Sequence, residues 1–323
     1  MFEKLKHFIW QKKHTQYSCK TYLCGIRIRK KSNPQAYIDN LQTSVNAKAQ
    51  NLLKKIQNTH SETQKKLTAL SLQINDIQNR LLQSQNTETT AELKHLSRQV
   101  QLCFNELNFA DLLHDTIIHS PWLKDRTLSL FGWAANYSFI YTLYRILDKV
   151  RPLNILEMGL GQTTHLTSQY IAYNNPQAHL IVCEHNTDWI NIVQSELPNS
   201  PHSDIHHFEL EYFDYEGKQN DKYAGLLEYI GTQKFDLIIV DGPIGGNKNL
   251  PRSNILNIIH NNNLTDDFII IFDDAERSGE QETIRQAEDM LSAKSVAYFS
   301  FERQGTKRQH IITSASRNFV QYL

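Results

Sequence analysis

Four apolar runs in this chain end in acid. Glu157 closes NILEM, Glu184 closes HLIVCE, Asp241 closes FDLIIVD, and the Asp273-Asp274 pair closes FIIIFDD. In an open parallel sheet, ligands bind beyond the carboxyl ends of the strands, so these are the positions where chemistry is expected. Gly159 and Gly161 follow Glu157 in ILEMGLGQTTHL. Glycines let the backbone turn tightly and approach a ligand, and a helix expected from Thr163 would point its N-terminus into the same space. Glu184 stands 27 residues after Glu157, where a carboxylate can accept both hydroxyls of a ribose. Glycine turn and acid together point to a nucleoside ligand. Asp241, Asp273 and Asp274 are expected to converge at neighbouring strand ends. Three carboxylates repel unless a cation lies between them, and a divalent metal with hard-oxygen preference would serve. The competing reading is that these acids cap helices or orient loops.

The kind of nucleoside follows from two further positions. A dinucleotide turn prefers glycine three residues after Gly161 to cradle a pyrophosphate, and Thr164 stands there, which disfavours a nicotinamide-dependent enzyme. Glu157 would repel phosphate but could pair with an amine. S-adenosylmethionine has ribose hydroxyls, an amino acid group and no phosphate. At this point ILEMGLGQTTHL resembles the first motif of the class I S-adenosylmethionine-dependent methyltransferases. CEHNTDW (183–189) is similar to the acidic second strand end of a bacterial subgroup, with an aromatic residue, Trp189, five positions after the acid. The resemblance covers about residues 130–315 and implies that Glu157, Gly159, Gly161, Thr163, Glu184 and His185 bind the cofactor.

FDLIIVDGPIGG and FIIIFDDAERSGEQ resemble the catechol-type metal-dependent O-methyltransferases, with Asp274 where that family has Asn. The resemblance implies Asp241, Asp273 and Asp274 as ligands of magnesium or manganese, which would lower the pKa of a substrate hydroxyl. Asp241 and Lys248, seven residues further on, are the candidate catalytic residues, Lys248 as base if its pKa is depressed; a solvated loop lysine is the alternative. Arg252 and Arg277 could orient an acidic substrate, and Asn136 and Tyr137 could lie across the cofactor pocket. The histidines of HSDIHHF do not form a zinc site in this reading, because adjacent His206 and His207 on a strand point to opposite faces.

Positioning these residues requires a sheet. From residue 111 onward, apolar runs alternate with helical stretches, which means a parallel sheet covered on both faces. LFGWAANYSFIYTLYRILDKVRP (130–152) reads as a helix ended by Pro152. Strands are expected at NILEM, HLIVCE, HHFELEYF, FDLIIVD and FIIIFDD, with VAYFSFE and QHIITS as a closing hairpin. Helices are expected from Thr163, from Asp188, near 252–260 and from Glu280. The fold class is a doubly wound Rossmann-like α/β sheet, mostly parallel with an antiparallel final strand, over residues 111–323.

Two further regions precede it. Residues 1–34 form a basic arm: the first 31 residues carry nine Lys and Arg against Glu3, although the whole chain balances to zero net charge. In MFEKLKHFIWQKKH, Phe2, Leu5, Phe8 and Ile9 fit one helical face, which could lie on an anionic inner-membrane surface; a solvated arm is the alternative. TYLCGIRIRKK (21–31) resembles segments near the start of enzymes of bacterial lipopolysaccharide and capsule assembly. Residues 35–110 carry a heptad seam, from Ile38 through Leu41, Val45, Ala49, Leu52 and Ile56 to Leu67, Leu70, Ile74, Ile77 and Leu81. QSQNTETT breaks it, and Leu93, Leu96, Val100, Cys103 and Leu107 resume it. Such a helix needs a partner, either a second copy in a homo-oligomeric coiled coil or a helical hairpin within the chain.

The four cysteines are far apart and read as reduced thiols, and no run reaches the ~20 apolar residues of a membrane span. The expectation is a cytoplasmic S-adenosylmethionine-dependent O-methyltransferase with no nucleic-acid partner. Family resemblance implies a sugar hydroxyl of a bacterial surface glycan or its precursor as acceptor. A non-catalytic methyltransferase-like scaffold in a glycan-synthesis complex is the alternative.

Overall fold

The computed structural model describes residues 10–15, 18–23, 26–31, helical residues at 65, 68, 69, 72, 73, 75 and 76, and residues 87–130 and 134–323. The chain divides into two compact units, Met1–Arg80 and Leu81–Leu323. All the expected seam residues from Ile38 to Leu81 lie outside the described residues, as do Phe2, Leu5, Phe8 and Ile9.

In the first unit, β1 (Trp10–Thr15), β2 (Ser18–Leu23) and β3 (Ile26–Lys31) form an antiparallel meander that registers Thr15 with Ser18 and Leu23 with Ile26. The helical pattern expected to reach Trp10 is therefore replaced by strand from that residue. Period-two alternation in IRIRKK is the signal that favours the sheet.

The second unit starts with α1 (Thr87–Ile117), and the boundary expected near residue 111 falls inside this one helix. Leu113 and Ile117 are buried on the domain, whereas Leu96 and Leu107 of the expected seam are exposed. Glu106 ties the helix down: its carboxylate accepts from Asn136 Nδ2 at 2.7 Å, the Tyr137 amide at 2.5 Å and the Thr306 amide at 2.8 Å. α2 (Tyr137–Lys149) is shorter than the helix expected over 130–152. Asn136 caps its N-terminus by accepting from the Phe139 amide, and Pro152 lies beyond its end.

There follow β4 (Asn154–Met158), α3 (Gln162–Tyr173), β5 (His179–Glu184), α4 (Thr187–Gln194), β6 (Ser203–His207), β7 (Leu210–Tyr215), β8 (Lys218–Tyr223), α5 (Leu226–Ile230) and β9 (Phe235–Val240). Then come α6 (Asn254–His260), β10 (Leu264–Phe272), α7 (Ser278–Ala293), β11 (Tyr298–Gln304), β12 (Arg308–Ser314) and a closing 3-10 helix, Ala315–Tyr322. HHFELEYF, expected as one strand, is split: His207 ends β6, and Leu210 begins a separate hairpin with β8.

Seven strands make the main sheet in the order β11-β12-β10-β9-β4-β5-β6. β10, β9, β4, β5 and β6 are parallel, and β12 runs antiparallel to both β10 and β11. This is the expected Rossmann-like arrangement with an antiparallel final strand. The unbroken apolar runs follow from burial on both faces: Leu237 and Ile239 enter one core cluster, Ile238 and Val240 the other. The chain leaves β4 to build one half of the sheet and returns at β9 to build the other. The crevice between the ends of β4 and β9 is the topological switch point.

Candidate active site

Two glycines let the chain cross at the switch point. Gly159 has φ +103°, and a Cβ there would come within 3.0 Å of the Asp241 carbonyl carbon. A Cβ on Gly242 would meet Gly159 Cα at 2.8 Å and the Tyr223 hydroxyl at 2.5 Å. The turn after β4 and the turn after β9 thus pack backbone against backbone. Gly161 differs: its φ of −169° suits any residue, and a Cβ would point into open space.

That space is a cavity of about 560 Å³. Gly159, Leu160 and Gly161 border it on one side, Glu184, His185 and Trp189 on a second, and Asp241, Asp274 and Arg277 on a third. A comparable hollow of about 570 Å³ lies at the opposite ends of the strands, beside Leu264 and Ser314, away from every residue singled out above.

Glu184 is fixed by backbone donors. Oε1 accepts from the His185 and Asn186 amides at 2.8 and 2.9 Å, and Oε2 accepts from the Leu160 amide at 3.2 Å. Trp189 donates its indole N–H to the Leu160 carbonyl at 2.8 Å, which locks the glycine turn from the other side. Its ring remains 41% exposed at the cavity edge. Oxygen acceptors, an open glycine turn and an aromatic plane suit a ribose and a base.

Glu157 does not reach the cavity, contrary to expectation. It shares the β4 face of Ile155, beneath α3, and is fully buried. Thr163 and Thr164 donate to Oε1 at 2.5 and 2.8 Å, and Thr167 to Oε2 at 2.8 Å. Burial pushes its pKa up to about 7 against the lowering pull of these hydroxyls. Glu157 and Thr163 therefore brace the start of α3 and stand outside the cavity lining. Asn136 and Tyr137 are also outside the cavity lining. Asn136 belongs to a buried network, in which Gln309 Nε2 donates to Asn136 Oδ1 at 2.9 Å and to Asp273 Oδ1 at 2.7 Å.

Asp241, Asp273 and Asp274 do converge: one oxygen from each lies within 4.8 Å of the others. Three basic side chains neutralise them. Arg252 Nη2 stands 2.8 Å from Asp274 Oδ2 and 3.2 Å from Asp241 Oδ1. Arg277 Nη1 is 2.8 Å from Asp274 Oδ2, and Lys307 Nζ is 3.3 Å from Asp273 Oδ2 and 3.5 Å from Asp274 Oδ1. The premise for a metal, repulsion without a nearby cation, does not hold. A magnesium or manganese ion between these oxygens would face Arg252 across a few ångströms. A magnesium or manganese ion would have to displace Arg252 from Asp241 and Asp274 to take these oxygens. Sequence reasoning placed Arg252 only as a substrate ligand and missed Lys307, whose turn between β11 and β12 is brought back over the strand ends by the antiparallel hairpin.

These cations split the carboxyls. Burial works to raise Asp274, but Arg252, Lys307 and Arg277 hold it below the usual range. Burial and the neighbouring Asp273 raise Asp241 well above that range, with Arg252 opposing. Asp241 lines the cavity with a side chain still 21% exposed. Lys248, the candidate base, is turned toward Asp221. Its ammonium is gripped by both Asp221 oxygens at 2.7 and 2.6 Å and also donates to the Ile244 carbonyl. Held this way it lies outside the cavity lining.

No protein-family model matches the sequence, and no curated protein matches it. Solved structures give low-scoring likenesses. The O-methyltransferase from Bacillus cereus in complex with SAH shares 15% identity, covering 64% of this chain and 90% of that one at a TM-score of 0.38. The O-methyltransferase TomG from Streptomyces achromogenes, involved in tomaymycin synthesis and in complex with SAM, shares 14%, covering 65% and 89% at 0.40. SAH-bound methyltransferase PaMTH1 from Podospora anserina shares 13%, covering 71% and 96% at 0.36. The fold assignment rests on the strand order, and the chemistry of the pocket on its lining residues.

Proposed function

We propose that this chain is an S-adenosylmethionine-dependent O-methyltransferase that works without a divalent metal. One observation carries this reading: a single cavity at the switch point joins a backbone-fixed carboxylate, Glu184, to a second carboxylate of raised pKa, Asp241. Glu184 would accept the ribose hydroxyls, the turn Gly159 to Gly161 would lie against the cofactor, and Trp189 would offer its ring to the base. When bound, the cofactor supplies a methyl group on a cationic sulfur. Asp241 would accept the proton of the acceptor hydroxyl as its oxygen takes that methyl, and Arg252 would hold Asp241 in position. A carboxyl of raised pKa is a stronger base than an ordinary one, which suits this role.

The acceptor is proposed to be a sugar hydroxyl of a bacterial surface glycan or its precursor. Support comes from the resemblance of residues 21–31 to enzymes of lipopolysaccharide and capsule assembly. The heptad seam and the basic first residues support a homo-oligomer positioned near the inner membrane. Among the described residues no helix is long and apolar enough to cross a membrane.

Calorimetric titration with S-adenosylhomocysteine tests the cofactor. The parent protein should bind, Glu184→Ala should weaken binding by roughly 10-fold or more from loss of charge-assisted hydrogen bonds, and EDTA should change neither binding nor turnover. Absence of binding by the parent at millimolar ligand would overturn the reading.

A further inference from the structure

The Arg252 side chain is 4% exposed, yet it pairs with the carboxylates of Asp241 and Asp274. Beyond its pairs with Asp241 and Asp274, Nη1 donates to the Asp273 main-chain carbonyl at 2.7 Å and approaches the Val240 carbonyl at 3.4 Å. One guanidinium therefore stands at the ends of both β9 and β10. Arg252 and Asp274 each adopt a left-handed backbone conformation, with φ of 58° and 55°. Non-glycine residues pay conformational free energy there, and such strain persists only where surrounding structure imposes it. The two strained residues are the ones whose side chains meet at 2.8 Å. Their backbones are held by the turn entering α6, where the Ile255 amide donates to the Arg252 carbonyl, and by the turn after β10, where the Arg277 amide donates to the Asp274 carbonyl.

We propose that Arg252 is the resident cation of this carboxylate group, occupying the place a divalent ion would take, and that it acts as a positioning residue for Asp241. The acids supply the oxygen ligands a hard cation prefers, and a planar guanidinium satisfies two of them with directed N–H donors that a spherical ion lacks. Exchange of the ion for an arginine fixes the charge of the site regardless of metal supply. Removal of Arg252 should leave Asp241 without its ion pair and Asp274 with Arg277 and Lys307 alone, and open the acid group to a metal. The positioning role rests on the methyltransferase reading, but metal uptake does not, so the two fail separately.

The test is a manganese titration of the full chain followed by electron paramagnetic resonance, without cofactor. The parent should leave the free-ion signal undiminished at millimolar manganese. Arg252→Ala should take up about one ion per chain at carboxylate ligands, and adding Asp274→Asn should abolish the uptake. If Arg252→Ala does not fold by circular dichroism, Arg252→Met keeps the packing of the stem and is held to the same outcomes. Stoichiometric uptake by the parent that is lost in Asp274→Asn would overturn the proposal, as would a folded Arg252 variant that binds no manganese.

Discussion

At Glu157, a carboxyl raised to about 7 from 4.5 is a stability statement. The folded state holds the proton more tightly than the unfolded chain, so this contribution is complete below pH 4.5 and is lost as pH rises to about 7. The shift corresponds to about 3 kcal/mol. Denaturant unfolding of the parent should show this loss between pH 4.5 and 8, and Glu157→Gln should lack it while keeping one acceptor oxygen for Thr163 and Thr164. An unchanged pH dependence in the variant would remove the assignment. The two glycines of the turn should separate in the same way. Gly159→Ala places a Cβ 3.0 Å from the Asp241 backbone at φ +103° and should cost about 1–3 kcal/mol of stability. Gly161→Ala should melt with the parent and lose cofactor affinity, because its Cβ enters only the cavity. Equal melting losses for both variants would contradict that division. For Asp241→Asn, turnover should fall about 10²–10⁴-fold with cofactor affinity retained. In the parent, the rate should rise with pH through a carboxyl titrating above its usual range, since only the deprotonated form accepts a proton. An Asn variant with parental turnover would exclude Asp241 as acceptor.

At the scale of elements, the hairpin of β7 and β8 is the part sequence reasoning misread, and it changes the role of Lys248. β8 brings Asp221 against the loop after β9, and the pair closes with side chains only 20% and 9% exposed. Lys248→Met should leave Asp221 buried without its partner and cost about 3 kcal/mol in stability. The pH limb of the reaction should stay where it is; a shift of that limb would restore Lys248 as the base. Asn254 anchors the same hairpin by accepting from the Tyr223 amide at 2.7 Å and donating to its carbonyl at 3.0 Å. Neither contact has a sequence period, because each joins residues 31 apart.

For the whole molecule, the division at Arg80 separates the longer part of the heptad seam from the unit that carries the cavity. A chain shortened to residues 81–323 retains α1 and the Glu106 contacts that tie it to α2 and the β11–β12 turn. It should bind S-adenosylhomocysteine like the full chain and run as a monomer in size-exclusion chromatography with light scattering, whereas the full chain should oligomerise. A monomeric full chain would remove the coiled-coil proposal, and an unfolded shorter chain would remove the independence of the second unit.

The parallel sheet and the acids at its strand ends were legible in the sequence for one reason. Burial on both faces demands unbroken apolar runs, and the residues that end such runs must stand at the sheet edge where ligands bind. Glu184 and Asp241 follow from that logic, as does the convergence of Asp241, Asp273 and Asp274. Charge compensation obeys no such period. Arg252 enters the acid group from the turn before α6, Lys307 from a hairpin 55 residues later in the chain, and Lys248 is withdrawn by Asp221 on an unforeseen strand. Glu157 shows the same limit from the other side, because which face of β4 it takes decides whether its carboxylate meets a ligand or three threonines. Sequence determined where the acids stand along the chain; only tertiary packing decided which cations they meet, because electrostatic partners are chosen by distance in space.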